Sequence, residues 1–119
     1  MTDLNDAITA LLAIDGATAA AIVNAANGTA LAKGGGGLNL DIAGAACTEL
    51  LRAGMKAMRV AGVTSAVDDI LIVAGNQYHI IQPIKSRPGL FVYVVLSQET
   101  GNFILARMRI GEIEDSLKD

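Results

Sequence analysis

Residues 69–97, DILIVAGNQYHIIQPIKSRPGLFVYVVLS, contain three apolar runs separated by two short turn signals. The runs DILIVAG, QYHIIQPI and LFVYVVLS are rich in the β-branched and aromatic residues that favour strands. Gly75-Asn76 separates the first two runs, and Pro88-Gly89 has the order expected of a type II turn before the third. Because strands joined by tight turns are antiparallel, this stretch predicts a three-stranded antiparallel sheet. The continuously apolar ILIVA predicts a strand that is buried on both faces.

The segment after the third run shows helical spacing. FILARMRI alone would also fit a strand, but over a longer stretch apolar residues recur at intervals of three and four: Phe103, Ala106, Ile110, Ile113 and Leu117. Thr100 or Asn102 is placed to cap the first turn. Gly111 lowers the helix propensity by up to about 1 kcal/mol relative to alanine. The segment therefore predicts a C-terminal helix.

The N-terminal residues 3–15 predict another amphipathic helix. Its apolar residues share one face: Leu4, Ile8, Leu11 and Leu12. Thr2 or Asp3 is the expected N-cap, and Gly16 suits the left-handed position that ends a helix.

Asn27-Gly28 predicts a hairpin between two short apolar runs, at about 18–24 and 29–33. This dipeptide favours a type I′ turn, because that turn needs positive φ at both central positions. The flanking runs are rich in alanine and have modest strand propensity, so the prediction depends on the turn.

A long helix is predicted between the two groups of strands, from Asn39 or Asp41 to about Ala61. Polar residues form one stripe along it: Glu49, Arg52, Lys56 and Arg59. Residues expected to face the core lie roughly opposite: Ala43, Cys47, Leu50, Gly54, Ala57, Met58 and Ala61. Leu51 and Met55 lie beside the polar stripe, where a surface helix is usually hydrophilic. This apolar arc is wider than the roughly 100° needed to cover one core, so we expect a second surface to cover the helix.

The predicted order is α-β-β-α-β-β-β-α, which gives a five-stranded antiparallel sheet flanked by helices, an α/β (α+β) sandwich. The 119 residues fit one domain, 1–119, and a content of 52% hydrophobic residues supports a packed core. A formal charge of −3 and only 3% aromatic residues argue against nucleic acid as a partner. We expect no signal peptide and no membrane span, and hence a soluble cytoplasmic protein.

The stretch AKGGGGLNLD, residues 32–41, raises the question of a phosphate-binding loop. A P-loop needs its lysine after the glycines, whereas Lys33 precedes them, and the dinucleotide spacing G-x-G-x-x-G is also absent. An anion site at the following helix N-terminus remains conceivable on this pattern. We interpret the stretch as a flexible connection to the second helix.

Few residues carry the chemistry of a catalytic or metal site. His79 is the only histidine; Ser97 with Asp68 or Asp69 would complete a catalytic set, but no motif places them together. The single cysteine, Cys47, reads as a small buried hydrophobe. Neither metal ligation nor a cofactor is expected; Asp68-Asp69 and residues 112–115, EIED, read as a turn and a solvated helix face.

Taken in order, the elements resemble the roadblock/LC7 domain, a profilin-like fold of dynein light chains of that type and of bacterial proteins that regulate small GTPases. The resemblance spans about Leu4 to Leu117 and includes IDGATAAAIVNAANGTALA, the long Ala/Leu helix and ETGNFILARMRIGEIEDSL. The run of four glycines and the alanine-rich hairpin and second helix depart from the family pattern.

This resemblance implies homodimers or heterodimers built from the second helix and the third strand. It also implies binding to a small Ras-like GTPase, as a scaffold or as a regulator of GTP hydrolysis, without a catalytic centre or cofactor. No arginine finger is carried over by motif, so Arg52, Arg59 and Arg87 receive no such role.

The predicted dimer, which we expect to be a homodimer, uses residues 43–62 and 67–74. Its predicted interface side chains are Leu51, Met55, Met58, Arg52, Arg59, Ile70 and Ile72. The alternative function is a small-ligand sensor module with a pocket between sheet and helix, which the many alanines and glycines would accommodate. An enzyme that acts through His79 is a third reading.

Overall fold

The computed structural model describes residues 3–117, which form three helices and five strands. The elements in chain order are α1 (Leu4–Leu12), β1 (Ala17–Asn24), β2 (Thr29–Gly35), α2 (Leu40–Val60), β3 (Ile70–Ala74), β4 (Gln77–Pro83), β5 (Leu90–Ser97) and α3 (Phe103–Asp115). Every neighbouring pair of strands is antiparallel, in the order β2-β1-β5-β4-β3. The predicted order of elements and the five-stranded antiparallel sheet are confirmed. None of the described helices is long and apolar enough to cross a membrane.

The sheet separates two hydrophobic cores. We call the side covered by α1 and α3 the closed face; its buried residues include Leu11, Ile22, Ile80, Val92, Ile110 and Leu117. The other side, covered by α2, is the open face; its buried residues include Val23, Leu40, Leu51, Ile81, Phe91 and Tyr93. Side chains alternate between the two cores along β1 and β5, as they do in a strand covered on both sides.

The prediction that ILIVA is buried on both faces is wrong. β3 lies at one edge of the sheet and pairs only with β4 among the described strands, and four of its five residues are exposed. The strand that is covered on both faces is β5, whose residues from Phe91 to Leu96 are all buried. A continuous apolar run fits either position, because the sequence does not give the order of strands in the sheet.

The predicted turns contain glycines with a positive φ. Gly89 has φ +93°, and the Leu90 N–H donates to the Arg87 carbonyl at 3.1 Å, which confirms the type II turn. The type I′ prediction at Asn27-Gly28 is wrong, since only Gly28 has a positive φ. A four-residue loop, residues 25–28, connects β1 and β2. The Asn24 side chain accepts a hydrogen bond from the Ala26 N–H, so the turn begins directly after the last residue of β1.

Side-chain caps start all three helices. Asp3 accepts from the Asp6 N–H, Asn39 accepts from two N–H groups of the first turn of α2, and Asn102 accepts from the Leu105 N–H. Thr2, the alternative cap of α1, lies outside the described residues. α1 ends at Leu12, three residues before the predicted end.

The run of four glycines, residues 34–37, lies partly in β2 and partly in the connection between β2 and α2. β2 extends through Gly35, and a Cβ at Gly34 would lie 2.9 Å or less from the side chains of Ile8 and Leu12. Gly34 therefore allows α1 to pack closely on the sheet. Only Gly36 and Gly37 lie in open space between β2 and the turn into α2. Lys33 pairs with Asp41 at 2.5 Å, so the lysine of the stretch is bound to the first turn of the helix.

Candidate partner interface

The core-facing side of α2 differs from the predicted one. Its buried residues follow a spacing of four, four and three: Leu40, Gly44, Thr48 and Leu51. Leu51 is only 3% exposed and lies in the open-face core, so the prediction of an exposed Leu51 is wrong. Met55 is half-buried and packs against the same core. The helix is rotated relative to the predicted orientation, so that Leu51 and Met55 face the sheet while Leu50 and Met58 lie outside.

Only part of the side predicted to face the core does so: Ala43 and Cys47 are half-buried against the open-face core, whereas the residues Leu50, Ala57, Met58 and Ala61 are exposed. Leu50 is 37% exposed and Met58 is similarly exposed, and the small residues beside them are also exposed: Ala46, Ala53, Ala57 and Ala61. The prediction that α2 carries more apolar surface than one core can cover is consistent with this exposure. The structure moves the uncovered part to the other side of the helix.

β3 extends this exposed apolar surface across the edge of the sheet. Ile72 is 40% exposed and Val73 is 58% exposed, and they point to opposite sides because they are adjacent in a strand. Ile70 is half-buried against α2, where Gly54 makes room for it; a Cβ at Gly54 would lie 2.9 Å from the Ile70 Cδ1. We call the exposed residues on the α2 side of the sheet the α2–β3 surface: Leu50, Met58 and Ile72.

Two shallow apolar grooves lie between α2 and the sheet edge and share Leu50. One, of about 530 Å³, runs from Gly54 and Met58 to the segment that precedes β3. The other, of about 380 Å³, has Cys47 and Ile72 among its walls and His79 and Tyr93 in its lining. The α2–β3 surface is therefore concave and apolar, as surfaces that receive another protein or a small apolar molecule are.

His79 is held in a local hydrogen-bond chain. Its Nδ1 lies 2.7 Å from the Tyr93 hydroxyl, and its Nε2 lies 3.0 Å from Gln77 Oε1. Since an amide oxygen only accepts, Nε2 carries the proton and the tyrosine donates to Nδ1. Burial lowers the pKa of His79, and burial with the nearby Cys47 raises the pKa of Tyr93 to about 12, so the chain is neutral at pH 7.

The residues nominated for catalysis are not brought together. Ser97 lies opposite Gln77 in the sheet, whereas Asp68 and Asp69 pair with Lys85 and Arg107. Cys47 is half-buried, and burial raises the pKa of its thiol, which disfavours the reactive thiolate.

The basic residues of α2 have different surroundings. The Arg52 Nη2 donates to the carbonyls of Ala25 and Ala26 at 2.8 and 3.0 Å, and its Nη1 donates to Glu49. Arg52 thus fastens the β1–β2 loop to α2, a role that the helical wheel did not indicate. Arg59 is exposed in the last turn of the helix.

One acidic residue was misjudged from the sequence. In EIED, residues 112–115, Glu114 is only 7% exposed, so the prediction of a solvated face is wrong there. Burial raises the pKa of Glu114 to about 7, with a smaller contribution in the same direction from Asp115. Residues 3–117 contain no group of three or more His, Cys, Asp or Glu side chains placed to hold a metal ion.

The three layers, two helices, a sheet and one helix, define an α+β sandwich with one incompletely covered side. Sequence comparison finds no matching family model and no matching curated protein. Comparison of structures identifies the fold as that of roadblock/LC7 domain proteins.

Three solved structures illustrate the likeness. A roadblock/LC7 domain from Streptomyces avermitilis superposes with a TM-score of 0.84 at 16% identity, over 98% of this chain and 95% of that one. MglB of Myxococcus xanthus gives 0.81 at 15% identity, over 98% and 94%. An MglB structure with a tetrameric arrangement gives 0.72 at 11% identity, over 98% and 94%. At these identities the likeness shows the fold alone.

Proposed function

We propose that this protein is a non-enzymatic, dimeric adaptor or regulator that binds a small Ras-like GTPase. The observation that carries the proposal is the α2–β3 surface, which combines an uncovered helix face with an unpaired apolar strand edge on a domain of roadblock/LC7 fold. Exposed apolar surfaces of this kind mark interaction sites in soluble proteins.

The surface suits a second copy of the same chain. An edge strand offers a row of backbone donors and acceptors, so two β3 strands would pair antiparallel about a two-fold axis and extend the sheet. The small residues Ala46, Ala53 and Ala57 would let two α2 helices approach each other at the usual 8–10 Å. A solved MglB structure of the same fold has a tetrameric arrangement, which supports the proposal that this chain also self-associates.

The GTPase is proposed from the family resemblance of the sequence. Binding would scaffold the GTPase or alter its hydrolysis rate by acting on the GTPase's own site, since no arginine of this chain is assigned as a finger. Arg59 and Lys56 are exposed on α2, and Arg59 lines a groove together with Met58 of the α2–β3 surface, so these basic residues would attract an acidic partner.

The dimer is tested by measuring molar mass with light scattering. We expect Leu50→Glu to convert the dimer to a folded monomer, because the charge would be buried in the interface. Leu105→Glu, at an exposed residue of α3 outside this surface, is the matched control and should stay dimeric. A wild-type monomer at high concentration, or a dimeric Leu50→Glu variant, would contradict the proposed interface. Leu51→Glu is unsuitable because Leu51 lies in the core.

The GTPase partner is tested by affinity capture from the source cell followed by a hydrolysis assay. The proposal predicts that a small GTPase is recovered with the wild type and that its hydrolysis rate or its localisation changes in the presence of this protein. Recovery of only unrelated proteins by well-folded dimer would contradict it.

The second candidate, a small-ligand sensor, is favoured by the groove of about 380 Å³ lined by Cys47, Ile72 and Tyr93. Its volume lies in the range of small-molecule sites. A native mass spectrum that shows a retained ligand, lost on Ala46→Phe, would support this function over the first.

A further inference from the structure

Another cleft lies between α3, the end of β4 and the segment that precedes β3, and it adjoins the groove of about 530 Å³, with which it shares Asp68, Asp69 and Arg107. Its volume is about 420 Å³. Polar and charged residues make up most of its lining: Asp68, Asp69, Gln82, Lys85, Ser86, Arg107, Glu114 and Asp115. Two exposed apolar residues, Ile104 and Met108, line it from the outer side of α3.

Two acceptor atoms of residues that line this cleft lack a hydrogen bond. Glu114 Oε1 accepts from Gln82 Nε2 at 3.2 Å, but Glu114 Oε2 and Gln82 Oε1 are both buried and have no partner among residues 3–117. A buried acceptor without a donor is costly, and native proteins rarely leave one so. Glu114 is more than nine-tenths buried, and it lines the cleft.

The cations of the cleft are already engaged elsewhere. Lys85 pairs with Asp68 at 2.8 Å, and Arg107 pairs with Asp69. With Glu114 and Asp115 added, the lining has more carboxylates than cations. The two buried acceptors therefore receive no hydrogen bond from either cation of the cleft.

We propose that this cleft binds the cationic head of an aliphatic amine or guanidine, and that the Glu114 and Gln82 side chains turn toward it so that its N–H groups donate to Glu114 Oε2 and Gln82 Oε1. Ammonium and guanidinium groups carry several donors and no acceptor, which matches two adjacent acceptors. Ile104 and Met108 would pack along the aliphatic stem, which gives these exposed side chains a role. The described residues offer no cluster of three metal ligands, which favours an organic cation over a metal ion.

The same chemistry has two sources, a free small amine and a lysine or arginine side chain of a partner protein. Both require Glu114 to be ionised. Of the groups that face it, Asp115 on its own helix and Asp69 before β3 raise its pKa, and Lys85 after β4 lowers it. A bound cation would lower the pKa further, so binding below pH 7 must release a proton.

The test is an NMR titration of the full chain with n-butylammonium, n-butylguanidinium and, as a neutral control, n-butanol. We expect saturable shifts of the Gln82 side-chain amide and the Ile104 methyl groups with the two cations and none with n-butanol. Glu114→Gln should weaken binding by about tenfold or more, because it removes the charge and keeps the shape. Glu112→Gln, an exposed glutamate on the same helix, should leave it unchanged.

The proposal is overturned if neither cation binds, or if Glu114→Gln binds both as tightly as the wild type does. Should Glu114→Gln fail to fold, Gln82→Met removes the second acceptor and should weaken binding several-fold. Calorimetry of the wild type at pH 6 in two buffers of different ionisation enthalpy measures the released proton without any substitution, and no release would also overturn the proposal.

A further arm distinguishes the two sources. Tighter binding of an internal lysine or arginine within a blocked hexapeptide than of the free cation would indicate a protein side chain. Tighter binding of the free cation would indicate a small molecule. The site does not depend on the proposed dimer, because Glu114 and Gln82 lie outside the α2–β3 surface, and the monomeric Leu50→Glu variant should bind the cations equally well.

Discussion

The closed face and the open face of the sheet carry different numbers of helices. On the closed face, α1 and α3 lie side by side and bury Ile8, Leu11, Ile110 and Ile113, while Leu4, Leu12 and Phe103 pack partly buried against the same core. On the open face, the single helix α2 covers the central strands but leaves Leu50 and Ile72 exposed at the edge.

The apolar residues of this domain therefore have two uses, stabilising the fold on the closed face and offering a surface to a partner on the open face. The closed face stabilises the fold within a single chain, since α1 and α3 cover its residues on β1, β4 and β5, while Leu71 and Val73 of the edge strand β3 stay exposed. The open face has apolar area left over at β3 and α2, which is the area that a partner would bury. Substitutions on the two faces should therefore affect different measurements.

The largest effect is expected from Ile110→Ala on the closed face. Ile110 is fully buried, so the substitution should lower the free energy of unfolding by about 2–5 kcal/mol. Ile72→Ala on the open face should change it by less than about 1 kcal/mol, because this side chain is already partly in water. Urea unfolding at protein concentrations at which both variants are monomeric measures this. Equal losses at the two sites would contradict the contrast between the faces.

The second largest effect is expected from Glu114, the buried carboxyl group of α3 on the closed face. Its pKa is raised from 4.5 to about 7 in the folded state. The folded state then binds more protons than the unfolded chain between these values, so stability is lost as the pH rises from about 4.5 to 7. The loss amounts to roughly 3 kcal/mol by the standard conversion.

The glutamine variant isolates this contribution. In Glu114→Gln the decline between pH 4.5 and 7 should disappear, while Glu112→Gln should keep it because Glu112 is exposed. Thermal unfolding across this pH range measures both variants. A parallel pH profile for the wild type and Glu114→Gln would show that Glu114 does not titrate there.

The smallest effect concerns the attachment of α2 to the hairpin on the open face. Arg52→Ala removes two hydrogen bonds to the carbonyls of Ala25 and Ala26, and we expect a loss of about 1 kcal/mol because the side chain is half-exposed. Lys56→Ala, one turn further on, is the control with an expected change near zero. Faster hydrogen exchange at residues 25–28 in Arg52→Ala, but not in Lys56→Ala, would show that Arg52 holds this loop against α2.

The sequence predicted the closed face better than the open one. The spacing of Ala106, Ile110 and Ile113 identified both the helix α3 and its buried side, although Ile104, Leu105 and Met108 leave apolar side chains exposed elsewhere on the helix. In α2 apolar residues cover most of the circumference, so the period alone could not show which part meets the sheet. Side-chain size does not distinguish the two sides either, since Gly44 and Thr48 are buried whereas Leu50 and Met58 are exposed.

Two features of the structure do not follow from local sequence patterns, the edge position of β3 and the burial of Glu114. The position of β3 at the edge depends on strand order, which is set by packing of the whole sheet. The burial of Glu114 depends on its pairing with Gln82, 32 residues away in the chain, which no local pattern encodes. The α2–β3 surface was predicted as a region, but Leu50 was missed as its central residue and Leu51 was misplaced.

The pairing of β1 with β5 has a consequence for how the chain folds. Ala17 lies opposite Leu96 and Asn24 lies opposite Leu90, so strands from the two ends of the sequence meet in the middle of the sheet. The β1–β2 hairpin and the β3–β4–β5 meander form from local contacts, whereas their union must close a loop that contains α2. Since long-range pairing slows folding, we expect this union to limit the folding rate. The apolar β3 edge would then already be available in the unassembled meander, which makes association during synthesis a competitor of folding.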